Sequence, residues 1–374
     1  MKGLAATLGG NDGIFEIEEL EVPAVEPGTI LVRNTGAAVC GSDLHQRRNS
    51  MASDTPKPKK IPGHEFTGTV HSLGKGVTTD SLRRPISEGD RLVFPFFFPC
   101  MRCINCLKNQ LHACAYRMRP NMIHSFEEYP YCDGGFSQYF LLQPNHWAFK
   151  VPEELHGHDP ALATVNCSMA QVMMGIHLAD VDDGDTVVVQ GAGGLGIYAT
   201  AIAAETGASQ VIVIDGQKAR LDLAMRCGAT STIDLTEYDT PQARVDRVRE
   251  LTGGVGADKA IEVVGVASAT LEGLDMIRTG GTYIDIGNIV EDEISMPASK
   301  IIGKQIRWIG LAHYNPWVIE ACLRMLLRTK DKYPLLDLVS HTFPLSEIQA
   351  AFELAEWHGK TGGSEATRVV VTAG

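Results

Sequence analysis

The segment Thr186-Val-Val-Val-Gln-Gly191-Ala-Gly193-Gly194-Leu195-Gly196-Ile-Tyr constrains this chain more than any other stretch. A β-branched run ends in Gly-x-Gly-x-x-Gly, and a helical pattern over 195–205 follows at once. In that setting each glycine has its own physical task. Gly191 permits a tight turn, Gly193 lets backbone approach a pyrophosphate, and Gly196 allows close helix–strand packing. The first helical turn, with Gly194 and Leu195, offers unpaired N–H groups and partial positive charge to phosphates. A second β-branched run, 210–215, ends in Asp215. A carboxylate about 20 residues beyond the glycines accepts the ribose hydroxyls of NAD and repels a 2′-phosphate. Lys218 and Arg220 stand close behind it and keep NADP open. A helical pattern at 218–226 and further strand candidates at 260–264, 283–286 and 306–309 continue the alternation. Strands alternating with helices predict βαβ units and a parallel sheet, an α/β fold.

The first 150 residues read differently, as short apolar runs such as 28–33 and 66–70 between Gly and Pro punctuation, hence mostly β. With 374 residues the chain is long enough for two domains. Lys plus Arg number 33 against 45 Asp plus Glu, a net charge of −12, which speaks against nucleic acid as a partner. The N-terminus lacks the apolar core of a signal peptide. The uncharged stretches 161–179 and 186–204 carry too many polar residues and glycines for a spanning helix. The expectation is a cytoplasmic protein with no membrane partner. Ser50–Lys60, polar and Pro-rich, is expected to be a solvated surface loop, and a helix is expected over 317–328.

Nine cysteines raise the question of disulfides, and their spacing answers it. Cys100-x-x-Cys103-x-x-Cys106 followed by Cys114 places four thiolates on one short loop, suited to a closed tetrahedral Zn²⁺ site. Such a site is structural, because it leaves no coordination position for substrate. An iron–sulfur cluster is the competing reading. Cys132, Cys227 and Cys322 lack partners at ligand spacing and read as ordinary small residues.

A second set of residues is spread along the chain. Cys40-Gly-Ser42-Asp43-Leu-His45 precedes Gly63-His64-Glu65. Cys40 and His64 offer one soft and one borderline ligand, suited to zinc. A catalytic zinc needs a third protein ligand and an open fourth position. Between Pro160 and Ala179 there is no Asp or Glu, so a ligand from that stretch is Cys167 or His177, with Cys167 the candidate.

In the order Cys-Gly-Ser-Asp-x-His, Gly-His-Glu, four-cysteine lobe, Gly134-Gly-Phe-Ser-Gln-Tyr139 and Gly-rich turn, the chain resembles the zinc-dependent medium-chain dehydrogenases/reductases of the alcohol dehydrogenase type. The resemblance implies a GroES-like, partly open β-barrel catalytic domain over 1–168 and 312–374, with the lobe near 98–116. It implies a Rossmann domain, a doubly wound parallel sheet, over 169–311, with substrate and nicotinamide meeting in the cleft between the two. It implies two zinc ions per chain and NAD. The catalytic zinc, on Cys40, His64 and Cys167, would bind an alcohol oxygen and make its hydroxyl acidic. Ser42 would take the hydroxyl proton and His45 relay it to solvent, Asp43 would orient His64, and Glu65 would lie beside the metal. It also implies a homodimer or homotetramer, with 281–287 as a possible edge strand.

Three departures narrow the reading. Gly41 stands where many alcohol dehydrogenases place a basic residue. Ala170 stands where polyol-type relatives place a ligating Glu. The segment 311–317 is aromatic rather than small. Phe96, in Phe94-Pro-Phe-Phe-Phe-Pro99, would by family position face the substrate or else pack in the core. The expectation is therefore an NAD-dependent zinc alcohol dehydrogenase for a primary or secondary, fairly bulky apolar alcohol. The alternatives are a polyol, amino-alcohol or formaldehyde-related dehydrogenase on the same scaffold, or a non-catalytic zinc and nucleotide binder.

Overall fold

A computed structural model describes residues 1–117, 131, 133–144, 146–289, 293–356 and 367–374. Cys132 lies outside them. The chain divides into two units: Met1–Cys167, Asn315–Thr329 and Leu336–Gly374 form the first, and Ser168–Tyr314 with Lys330–Leu335 the second.

The first unit is built from strands, numbered in chain order, that pair antiparallel except for one parallel pair, β15 (His341–Pro344) with β16 (Val369–Thr372). Strands β1 (Lys2–Gly10), β2 (Phe15–Glu21) and β4 (Lys57–Lys60) form a small sheet in the order β2-β1-β4. A larger sheet runs β15-β16-β3-β5-β6-β8, with β7 also pairing to β3. Its strands are β3 (Ile30–Ala38), β5 (Glu65–Leu73), β6 (Arg91–Val93), β7 (Tyr139–Leu142), β8 (Phe149–Lys150), β15 (His341–Pro344) and β16 (Val369–Thr372). Alternating residues of these strands feed one apolar core that includes Val32, Phe66, Val70, Leu92, Phe94 and Phe140. The ring of Phe66 meets Phe94 edge-on at 5.1 Å and Phe140 at 4.9 Å. Helix α9 (Ile348–Ala355) closes this core, with the Phe352 ring 4.5 Å from Phe15 and 5.5 Å from Phe136. The C-terminal segment is thereby part of the first unit's core.

The second unit is a six-stranded sheet in the order β11-β10-β9-β12-β13-β14. The strands are β9 (Thr186–Gln190), β10 (Gln210–Asp215), β11 (Ser231–Asp234), β12 (Ala257–Glu262), β13 (Ile277–Asp285) and β14 (Arg307–Gly310), and all pair in parallel. Strand order reverses between β9 and β12, which is where open α/β sheets bind ligands. Apolar runs such as Val187-Val188-Val189 and Val211–Ile214 are buried, as parallel strands covered on both faces require. The connecting helices include α3 (Gly194–Thr206), α4 (Lys218–Arg226), α5 (Pro241–Leu251), α6 (Ala267–Met276) and α7 (Ser299–Lys304). Helix α1 (Gly41–Met51) belongs to the first unit, α2 (Ala170–Ala179) opens the second, and α8 (Trp317–Thr329) returns to the first.

Two sequence expectations are corrected. The stretch 50–60 is not wholly a loop: Lys57–Lys60 is strand β4, paired antiparallel to β1. Lys59 donates to Glu16 at 2.8 Å and to Glu18 at 2.7 Å, so cross-strand charge supports a strand whose composition reads as loop. Pro58 is tolerated because the strand lies at the sheet's edge. The run 281–287 is not an edge either, since β13 lies between β12 and β14, and β14 is the outer strand. Among the described residues one helical stretch, Asp159–Ala179, is long and apolar enough to cross a membrane, and 78% of its window is buried inside the protein.

Truncating Phe352 opens a cavity between the N- and C-terminal segments of the first unit. Phe352→Ala is expected to destabilise that unit by about 3–5 kcal/mol, seen as a lower urea midpoint. An unchanged midpoint would show that α9 is not part of the cooperative core.

Candidate metal centre and nucleotide turn

Among the described residues two groups of potential metal ligands form, each with ligand atoms within 4.8 Å of one another. The first is Cys100, Cys103, Cys106 and Cys114. Its sulfur separations are 3.5 Å (Cys103–Cys106), 3.6 Å (Cys100–Cys114), 3.9 Å (Cys103–Cys114) and 4.0 Å (Cys100–Cys106). A tetrahedron with zinc–sulfur bonds of about 2.3 Å has edges of about 3.8 Å, so the four thiols fit one zinc ion with no position left over. The loop is tied down by Asn315, whose Oδ1 accepts from the His112 backbone N–H at 3.0 Å and whose Nδ2 donates to the Asn109 carbonyl at 3.1 Å. Backbone hydrogen bonding from Cys106 holds the Cys103 thiol down at about 6, towards the thiolate a metal needs.

The second group is Cys40, His64, Glu65 and Cys167. Cys40 is the residue that caps α1, and Glu65 begins β5. Gly63 adopts φ +92, a turn that aims His64, and a Cβ there would meet the Phe136 ring at 2.8 Å. Cys167 sits in a π-helical turn, Val165–Met169, a local widening that often marks functional sites. The Cys167 sulfur lies 3.5 Å from His64 Nε2. Tetrahedral bonds of about 2.3 Å to sulfur and 2.0 Å to nitrogen require about 3.5 Å, so this pair also fits zinc. With Glu65 engaged by Arg368, the three Cys and His donors leave a tetrahedral ion one position for a further ligand, unlike the lobe.

Asp43, 2% exposed, links two of these ligands. Its Oδ2 accepts from the Cys40 backbone N–H at 3.0 Å, and its Oδ1 lies 3.4 Å from His64 Nδ1. The ring is thereby turned so that Nε2 faces the sulfurs. Burial works against charge on His64, but the Asp43 carboxylate and Cys40 outweigh it and raise the imidazole well above its usual range. The Cys40 thiol is held well below its usual range, first by a hydrogen bond from Cys167. Donating that bond, and burial, push Cys167 the other way. Ser42 adds a hydrogen bond to the Cys40 sulfur. Glu65 is fully buried, and burial pushes its carboxyl up to about 8 against the pull of Arg368, whose Nη1 lies 3.1 Å from Oε2. Asn166 donates to the His64 carbonyl at 3.1 Å. His45, further along α1 and half-buried, is lowered by burial and by the Arg48 guanidinium, which pairs with Glu356. The Phe96 ring, 7% exposed, lies 4.9 Å from the His64 ring.

In the second unit, Gly191 has φ +100, and a Cβ on Gly196 would stand 1.8 Å from the Gly191 carbonyl oxygen. Only glycine lets α3 start that close to β9. A Cβ on Gly193 would meet nothing within 4 Å, so the capping end of α3, with Gly194 and Leu195, is open. Asp215 accepts from the Ala192 N–H and the Gln217 N–H, each at 2.8 Å, which ties its carboxylate to the glycine turn. Lys218 pairs with Asp222 at 2.9 Å, and Arg220 is half-buried on the same helix. Cys227 and Cys322 are fully buried and form no disulfide.

Four residues of these sites lie outside the sequence motifs. Arg368 and Asn315 are hundreds of residues from their partners, and no spacing announces them. Asn166 adjoins Cys167, a signal visible only once Cys167 is assigned. Glu262, at the carboxyl end of β12, is fully buried. It accepts from Val264 and Gly265 N–H at 2.6 Å each and from Gly287 N–H at 3.0 Å, joining the loops after β12 and β13.

Comparison with known proteins adds to this geometry. Residues 26–153 match the family model described as alcohol dehydrogenase GroES-like domain, and residues 194–328 match that of zinc-binding dehydrogenase. The chain is 34% identical to a 5-exo-hydroxycamphor dehydrogenase of Pseudomonas putida over 91% of its own length and 92% of the relative's. It is 30% identical to an erythritol/L-threitol dehydrogenase of Mycolicibacterium smegmatis over 95% and 93%. An alcohol dehydrogenase structure from Thermotoga maritima superposes with a TM-score of 0.88 at 29% identity, covering 100% of this chain and 99% of that one.

Burial pushes the Glu262 carboxyl up to about 7, with Asp285 adding like charge, against its three N–H donors. Folding therefore takes up a proton there. The stability this contributes is full below about 4.5 and lost as pH rises through about 7. Glu262→Gln is expected to flatten that part of the pH–stability curve, measured by thermal unfolding between pH 4 and pH 8. An unchanged slope would assign the pH dependence elsewhere.

Proposed function

Because the chain belongs to the zinc-dependent medium-chain alcohol dehydrogenase family, we propose that it transfers a hydride between a primary or secondary alcohol and NAD, giving the aldehyde or ketone. The observation that carries this reading is the cluster of Cys40, His64 and Cys167, three donors that leave a tetrahedral ion one position, with Glu65 beside them paired to Arg368. Bound there, zinc supplies a Lewis acid that makes an alcohol hydroxyl easier to deprotonate. NAD supplies the hydride acceptor. In this reading Ser42 takes the hydroxyl proton and His45 carries it towards solvent. His45 is suited to that, because burial and Arg48 keep it neutral and able to accept. Asp43 keeps His64 facing the metal, and Arg368 keeps Glu65 beside it. A second zinc on Cys100, Cys103, Cys106 and Cys114 orders the lobe.

NAD rather than NADP is supported by Asp215, whose fixed carboxylate would repel a 2′-phosphate, and by Lys218 being already paired with Asp222. The substrate we propose is a bulky apolar alcohol. Phe96, backed by Phe97, puts aromatic surface at the His64 side of the donor set, and the hydroxycamphor-oxidising relative points the same way. A polyol is the second reading, favoured by the erythritol/L-threitol relative. The reading divides the chain into a catalytic domain over 1–168 and 312–374 and a cofactor domain over 169–311. It calls for the cytoplasm, where cysteine clusters stay reduced, and for a homodimer or homotetramer. The outer strand β14 is a suitable edge for such an assembly.

Metal analysis is expected to find two zinc per chain. Cys167→Ala should keep the lobe zinc, lose the other and lose turnover by at least about 100-fold; full activity in that variant would remove Cys167 from the donor set. Loss of a charged hydrogen bond to ribose, about 1.5–3 kcal/mol, predicts that Asp215→Gly lowers the NAD-over-NADP preference by at least about 10-fold. An unchanged ratio of kcat/KM values would deny Asp215 that role.

A further inference from the structure

The run Phe94-Pro95-Phe96-Phe97-Phe98 joins the two cysteine groups of the first unit. Phe96 lies against His64, and two residues after Phe98 the chain reaches Cys100, the first thiol of the lobe. Most of the run is buried, with Phe94 and Phe97 fully enclosed. From outside the run, Phe66 and Phe140 pack on Phe94, and His146 holds its middle and far end. The Nε2–H of that ring donates to the Pro95 carbonyl at 2.8 Å, and the ring lies 3.6 Å from the Phe98 ring and 6.0 Å from that of Phe94. The bond to a carbonyl fixes the tautomer, with the proton on Nε2. Among the described residues, Nδ1 is buried without a hydrogen-bond partner. Leaving that nitrogen unsatisfied is costly, and an apolar side chain would fill the same space without that cost. What the imidazole adds is the bond to Pro95. Burial holds the ring down at about 3, so it stays neutral and keeps its donor through the pH range of enzyme assays. Trp147, the next residue, packs on the lobe's cysteines, which fixes the far side of the peg.

We propose that His146 is a positioning residue for substrate selection. By holding the Pro95 carbonyl and packing its tilted ring against Phe98, it fixes Phe96 against His64 and so sets how bulky an alcohol the site accepts. The inference rests on the reading of the Cys40–His64–Cys167 group as the alcohol site. It differs from a general packing role in what it predicts: removing the peg changes selectivity between alcohols and leaves the metals and cofactor binding alone.

The test compares the zinc-loaded parent with His146→Leu, Phe98→Leu and His146→Gln, the last keeping an N–H that can reach Pro95. The readout is the ratio of kcat/KM for a bicyclic secondary alcohol to that for 2-propanol. His146→Leu is expected to shift the ratio at least 10-fold through KM, with zinc content and the KM for NAD unchanged, and His146→Gln to restore most of it. Phe98→Leu should shift it in the same direction and serves if His146→Leu does not fold. A ratio within twofold of the parent in the folded variants, or an equal loss for both alcohols, overturns the proposal. If the parent oxidises no alcohol, the functional reading fails, and the placement of Phe96 is then read without turnover. With 4-fluorophenylalanine in place of Phe96, the fluorine resonance should move or broaden in His146→Leu and return in His146→Gln. A resonance unmoved by His146→Leu overturns the inference on its own.

Discussion

The contact on which the metal centre depends is the buried carboxylate of Asp43. It accepts the Cys40 backbone N–H with one oxygen and faces His64 Nδ1 with the other. A charge 2% exposed is tolerable only when it is paired, and here the pairing is also the alignment. The start of α1 and the turn before β5 are held to one another by that group, so a sulfur and a ring nitrogen from separate elements face the same point. Cys167 arrives from a third element, a π-helical turn more than a hundred residues further on. Donors crowded this closely, with Glu65 beside them, couple their protonation: one thiol goes down, the other goes up, and the carboxyl goes up by burial. A divalent cation is the chemical partner that resolves such crowding.

The nucleotide side rests on a steric constraint instead of a charge. The Gly191 carbonyl occupies the space a side chain on Gly196 would need. Helix α3 can therefore begin directly above β9, beside the point where strand order reverses. Asp215 then closes the corner by accepting the Ala192 N–H, so the residue read as a ribose partner is also a brace for the turn. Glu262 performs the corresponding bracing one strand further along, between the loops after β12 and β13.

Local chemistry was legible in the sequence, and most long-range chemistry was not; Cys167 was reached only by elimination within one stretch and by resemblance. The four cysteines of the lobe, the Cys40 and His64 motifs and the glycine turn each carry their meaning in short spacings. Strands β9 and β10 and helix α4 follow from periodicity and composition alone. Lys57–Lys60 escaped that reading because its strand character comes from Glu16 and Glu18 on β2, not from its own residues. The run 281–287 looked like an edge because nothing in a β-branched run says how many neighbours it has. Arg368 and Asn315 escaped for the same reason: each is defined by a partner brought near only by folding.

In the proposed reading, the two cysteine groups use the same element of chemistry to opposite ends. Four sulfurs at tetrahedral separations saturate an ion, and all of the binding energy goes into holding a loop that packs only a handful of apolar side chains. Two sulfurs and an imidazole leave an ion unsaturated, and the residual demand is what a substrate oxygen can meet. The difference lies in one ligand, and it decides which centre orders and which reacts. The aromatic run from Phe94 to Phe98 connects them covalently, with His146 braced on the lobe's side and Phe96 on the reactive side. On the inference drawn from His146, the lobe proposed only to order its loop would shape the site proposed to react, through the backbone it holds still.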